Sequence, residues 1–85
     1  MSDIANSITN YLLAFEEGKA AGIAGDFQKA KQKFTECIKI DDKNPDTFIL
    51  RATAHERLKE YELAMADIYK ALALDQTNAV AYETK

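Results

Sequence analysis

The chain has 85 residues, a net charge of −3 with acids and bases interspersed, one cysteine, three glycines and one proline. That length holds one small domain, the lone Cys37 excludes an internal disulfide, and a weakly acidic chain without a basic run suits nucleic acid poorly, because phosphate contacts dominate that binding. The leading MSDIANSITN is no signal peptide and no apolar run approaches the roughly 18 residues of a membrane span, so an all-α domain of the cytoplasm or nucleus, rich in the helix formers Ala, Lys, Glu and Leu, is expected.

A first helix is predicted from about residue 3 to about residue 23. Ile4, Ile8, Leu12 and Phe15 recur at spacings of four, four and three, which is one helical face. Ser2 or Asp3 can cap its start, and Gly22 and Gly25 weaken and end it. Asp26 is placed to N-cap a second helix that carries Phe27, Ala30, Phe34, Cys37 and Ile38 on one stripe and stops near Ile40. Lys29, Lys31 and Lys33 fall outside that stripe and read as a solvated face.

Asn44-Pro45 is the clearest boundary, with a preferred cap residue followed by proline at the first helical position. The third helix is predicted from Pro45 to about Leu58, with Phe48, Ala52 and His55 on one face and Ile49 and Leu50 on an adjoining one. Lys59-Glu60 is a tight connection without glycine. The fourth helix is predicted from Tyr61 to about Leu74, with Tyr61, Ala64, Ile68, Ala71 and Leu72 as its stripe. Asp75 to Asn78 reads as a loop, and Asn78 as the cap of a fifth helix over residues 79–85.

A single offset of 34 residues relates the two halves: Phe27 answers Tyr61, Ala30 answers Ala64, Phe34 answers Ile68, Ile38 answers Leu72, and Asn44 answers Asn78. A fixed period of this size marks an array of helix pairs. The repeats are placed at about 11–44, with a helical extension from about residue 3, at about 45–78, and as a partial third copy at 79–85. Gly18 and Ala52, Ala30 and Ala64, and Cys37 and Ala71 supply small packing positions beside the bulky Phe27, Tyr61, Phe34 and Ile68. On these positions the chain resembles tetratricopeptide repeat proteins, over roughly Tyr11 to Lys85. It departs from that pattern at Ala14, Ala21, His55, Asp42 and Gln76, which stand where bulky, tyrosine or proline residues are usual.

The resemblance implies a right-handed solenoid of antiparallel helix pairs that binds protein and catalyses nothing. First helices of the pairs line its concave face. By position that groove takes Leu12, Phe15, Glu16, Lys19 and Ile23 from the first repeat. It takes Asp46, Ile49, Leu50, Thr53, Glu56 and Arg57 from the second, and Val80 and Glu83 from the third. One branch of the family grips Glu-Glu-Val-Asp chaperone tails through a clamp of Lys, Asn and Arg residues. The matching positions here are Phe15, Lys19, Leu50, Val80 and Thr84, none of which holds the clamp residue of its position, so such a tail is not the expected partner. Leu12, Phe15, Ile49 and Leu50 instead suit a peptide or an amphipathic helix, or are covered by the chain itself. The layout is also similar to the short N-terminal repeat domains of co-chaperone adaptors in ubiquitin-ligase and kinetochore assembly.

No constellation for catalysis, metal or cofactor stands out: His55 is the only histidine and reads as structural, and Cys37 fills a small packing slot. The apolar side of Tyr61 to Leu74 lacks its usual cover in a chain of this length. Either further repeats follow in a longer protein, or the face pairs with a second copy through Ile68, Leu72 and Tyr82 into a homodimer.

Overall fold

The computed structural model describes the backbone of residues 2–83 and the side chains of residues 6–75. Four α-helices follow one another: α1 (Ser2–Ala24), α2 (Phe27–Ile40), α3 (Pro45–Arg57) and α4 (Tyr61–Glu83). Each packs against the next, and α1 also touches α3. The described chain is all-α, a stack of two antiparallel helix pairs.

The helix starts follow from the sequence. The Asp26 carboxylate accepts from the Lys29 N–H at 3.2 Å, and the Asn44 side-chain oxygen accepts from the Asp46 N–H at 3.0 Å with Pro45 opening the helix. The cap expected at Ser2 or Asp3 lies outside the residues whose side chains are described.

The turns that close the two hairpins are copies of each other. At the first, Asp26 N–H reaches Ala21 O at 2.8 Å and Gly25 N–H reaches Gly22 O at 3.1 Å, with Gly25 at φ +85°. At the second, Glu60 N–H reaches His55 O at 2.8 Å and Lys59 N–H reaches Glu56 O at 2.9 Å, with Lys59 at φ +64°. Both are Schellman caps, in which a left-handed residue lets the chain reverse and satisfies two orphan carbonyls. Glycine takes that conformation freely, and lysine does so only against the steric resistance of its Cβ.

The core is built from small residues that admit large ones. Ala21, Ala30, Phe34 and Ala54 are buried together, with Phe15, Phe27 and Leu50 packed against them. Gly18 is required by close approach: a Cβ there would stand 2.8 Å from the Phe34 ring. Cys37 and Thr47 are fully buried. Thr47 shares a hydrogen bond of 2.9 Å with the Tyr11 hydroxyl, to which Asn44 donates at 3.1 Å, so the start of α3 is pinned to α1.

The chain departs from the expected order at its last helix. No loop opens at Asp75 to Asn78 and no fifth helix begins at Asn78, because α4 continues without a break to Glu83. The physical reason lies one residue past the cap. Pro45 lacks an N–H and excludes its predecessor from helical geometry, whereas its counterpart Ala79 does neither, and no glycine or proline stands between 75 and 83.

The α4 stripe also differs from its counterpart. Ala64 and Ala71 are buried as expected, but Tyr61, Ile68 and Leu72 are exposed, Ile68 at 42% against 2% for its repeat partner Phe34. The first-repeat slot is covered by α3, and no described helix covers the second.

Because Lys59 holds a conformation that costs a side chain but not a glycine, Lys59→Gly is expected to raise stability by roughly 0.5–1 kcal/mol. Urea unfolding followed by circular dichroism measures this, and an unchanged or lower midpoint contradicts the strain assigned to that turn.

Candidate interaction groove

The residues expected on the concave face do not all lie together. Lys19 from α1 and Leu50, Thr53 and Arg57 from α3 line one groove of about 380 Å³, floored by Phe27 and Phe34 of α2. Ile23 also lines it and is 89% exposed, an extreme for an isoleucine. Phe15 lies beneath this surface, half-buried, stacked on Tyr11 at 5.9 Å and edge-on to Phe34 at 5.9 Å. Ile49 belongs to a second hollow of about 270 Å³ between α3 and α4, with Tyr61, Met65 and Ile68. Leu12 is exposed and lines neither hollow. Glu16 pairs with Lys19 at 3.5 Å. The side chains of Val80, Glu83 and Tyr82, and the whole of Thr84, lie outside what is described.

Two cations frame the groove on aromatic faces. The Lys19 ammonium sits 5.2 Å from the centre of the Phe15 ring, and the Arg57 guanidinium 5.7 Å from that of Phe27. Such contacts attract the cation to the ring face by the ring quadrupole, by about 0.5–1 kcal/mol at exposed sites. Among the described residues, no carboxylate lines the groove and none forms an ion pair with Arg57.

The opposite side of α3 carries a polar network that the sequence reading missed. Arg51 grips Asp67 with two parallel bonds of 2.8 Å and donates to the Thr35 hydroxyl at 3.2 Å. His55 Nδ1 lies 2.8 Å from Glu60 and its Nε2 lies 3.5 Å from Asp67. Lys31 adds bonds of 3.1 Å to both oxygens of Glu60. His55 and Asp67 are buried, and the network ties α2, α3 and α4 together. His55 is therefore an inter-helix packing residue, as expected, with ionic partners that were not.

The lysine trio is corrected by the same contacts. Lys31 reaches Glu60 and Lys33 reaches Glu17 of α1 at 3.1 Å, so two of the three are paired rather than freely solvated. Two residues apart on a helix, they project to opposite sides of α2 and stitch it to both neighbours. The Glu17 carboxylate raises the Lys33 pKa through its hydrogen bond and charge. Burial, then the Glu36 charge, pushes the Cys37 thiol up to about 11, so it stays protonated, with its sulfur 3.6 Å from the Tyr11 carbonyl.

A profile described as tetratricopeptide repeat matches residues 45–78. This chain is a tetratricopeptide repeat protein. It is 37% identical over 59 residues to small glutamine-rich tetratricopeptide repeat-containing protein 2 of Saccharomyces cerevisiae, covering 69% of this chain and 17% of that protein. It is 35% identical over 69 residues to the protein SGT1 homolog of Oryza sativa subsp. japonica, covering 81% and 19%. Against Hsp70-Hsp90 organizing protein 2 of Arabidopsis thaliana it is 36% identical over 58 residues, covering 68% and 10%. The chain thus spans less than a fifth of the length of each of these relatives. No solved structure gives a significant match. No described helix is long and apolar enough to cross a membrane, and no group of metal-ligating side chains occurs among the described residues.

The network gives a pH signature. The hydrogen bond from His55, then that from Lys31, holds the Glu60 carboxyl below its ordinary value of 4.5. A folded-state value below the unfolded one stabilises the fold fully above the unfolded value, and that stabilisation disappears as pH falls through the folded value. The stability difference between wild type and Glu60→Gln is therefore expected to be largest near neutrality and to shrink from about pH 4.5 downward. Urea titrations of both chains at a series of pH values test this, and a difference that grows on acidification contradicts it.

Proposed function

We propose that this chain is a non-enzymatic protein-interaction module, of the adaptor type, that holds a partner peptide or amphipathic helix in the groove between α1 and α3. The single observation carrying the reading is the groove itself: an apolar floor with Ile23 almost wholly in water, framed by two cations. A soluble domain has no folding reason to keep such a side chain exposed beside a concave apolar surface, whereas a binding surface does. Work beside chaperone machinery accords with the name of one relative, Hsp70-Hsp90 organizing protein 2, and we place that work in the cytoplasm or nucleus.

The chaperone-tail clamp is not part of the proposal. Of its first three positions, Phe15 is committed to ring packing, Leu50 offers no donor, and Lys19 alone is a cation.

The test uses residues that the fold does not need. Ile23 and Thr53 are exposed and line the groove. The Ile23→Glu, Thr53→Glu double variant is expected to keep its circular dichroism spectrum and to weaken partner capture by about tenfold or more. Retention of the same partners by the folded variant overturns the groove as the functional surface.

One observation favours a second reading. The hollow holding Ile49, Tyr61 and Ile68 is the slot in which α3 sits, translated by one repeat and left open. Self-association through this face makes the chain a structural homodimer module instead. Sedimentation at low micromolar concentration separates the two readings: a monomer is expected, and a dimer lost on Leu72→Glu replaces the adaptor reading.

A further inference from the structure

The three glycines of the chain need three different explanations, and the fold supplies only two. Gly18 is required because a Cβ would meet the Phe34 ring at 2.8 Å. Gly25 is favoured by its φ of +85°. Gly22 has neither reason: it lies inside α1 and a Cβ there would meet nothing within 4 Å. Glycine within a helix is unfavourable relative to any ordinary residue, so a vacancy that the fold does not use is a cost without an internal return. Gly22 lines the groove, together with Ile23 and the floor residue Phe27.

Charge distinguishes the same place. The chain carries a net −3, yet the charged residues among those described as lining this groove are Lys19 and Arg57, with no acid. Lys19 already shares Glu16 at 3.5 Å, whereas Arg57 has its ring contact and no described carboxylate. A guanidinium 5.7 Å from a ring centre, with no described carboxylate on it, has N–H donors available for a planar acceptor.

We infer that the groove takes an apolar segment bearing a carboxylate, which seats a large aliphatic or aromatic side chain over Gly22 and sets an Asp or Glu side chain against Arg57. This rests on the groove reading and adds the chemistry of the partner. Gly22 provides room for the anchor side chain, with Leu50 and Phe27 as its walls. Arg57 fixes direction, because only one orientation of the segment brings its acid to that end. Lys19 adds attraction without a fixed partner atom. Recognition here uses a side-chain carboxylate within a segment and needs no free chain terminus.

The test is selection of a random 16-residue peptide library, displayed on phage, against the intact chain, followed by affinity measurement on Gly22→Leu and Arg57→Gln. Leucine at 22 enters open space and improves helix propensity, so the variant is expected to remain folded, as checked by thermal unfolding. Gly22→Ala gives a smaller filling should leucine disturb α1. Selected sequences that combine Asp or Glu with Leu, Ile or Phe, lose about tenfold in affinity on each of Gly22→Leu and Arg57→Gln, and weaken with added salt are the expected result. Sequences that respond to filling at 22 but show no acidic residue and ignore Arg57→Gln overturn the carboxylate partner and leave the groove reading standing. Sequences indifferent to both Gly22→Leu and Arg57→Gln, or no enrichment at all, overturn the groove reading with it.

Discussion

The Phe34 ring lies where a side chain at position 18 would otherwise begin, and the geometry of the first helix pair follows from that exclusion. Glycine at 18 lets α2 approach α1 closely enough to bury Phe34 and leave a slot above it. Leu50 and Ala54 of α3 enter that slot, which fixes how the second hairpin stacks on the first. The groove is the space left between α1 and α3 once that stack is made. A larger residue at 18 would push the helices apart, alter the slot, and so reshape a surface it does not itself form.

A second constraint acts from the opposite side. The Arg51, His55, Asp67, Glu60 and Lys31 network is buried in part and spans three helices. Apolar packing alone tolerates rotation of one helix against another, whereas a two-pronged bond between Arg51 and Asp67 accepts one register. Small alanines set how near the helices come, and the ionic contacts set which way they face. The concave surface thus depends on chemistry placed behind it.

The period, both observed caps, the small packing positions and the structural role of His55 were legible in the sequence, because each depends on residues a few positions apart or on one repeat distance. What was not legible depends on longer or more particular relations. Arg51 and Asp67 are 16 residues apart with no local rule joining them, and Lys31 reads as solvated until Glu60 is folded next to it. Phe15 has the right position for the groove but turns inward onto Phe34, since a face assigned by periodicity does not say how deep a ring goes. Gly22 reads as a helix-weakening residue, and only the empty space around it gives it another meaning. At Asn78 the residue is a preferred cap, but Ala79 lacks the ring that stops the preceding helix at Pro45.

That missing proline bears on how a protein of this kind changes in length. Asn44 and Asn78 are the same residue at the same repeat position, yet one begins a new helix and the other is passed through by α4. Punctuation in the array therefore resides in the following residue. A tandem protein can pass between a folded-back unit and a long projecting rod by exchanging one alanine for one proline, with its packing residues untouched. The outline of such an array is then set by a residue that takes no part in its packing.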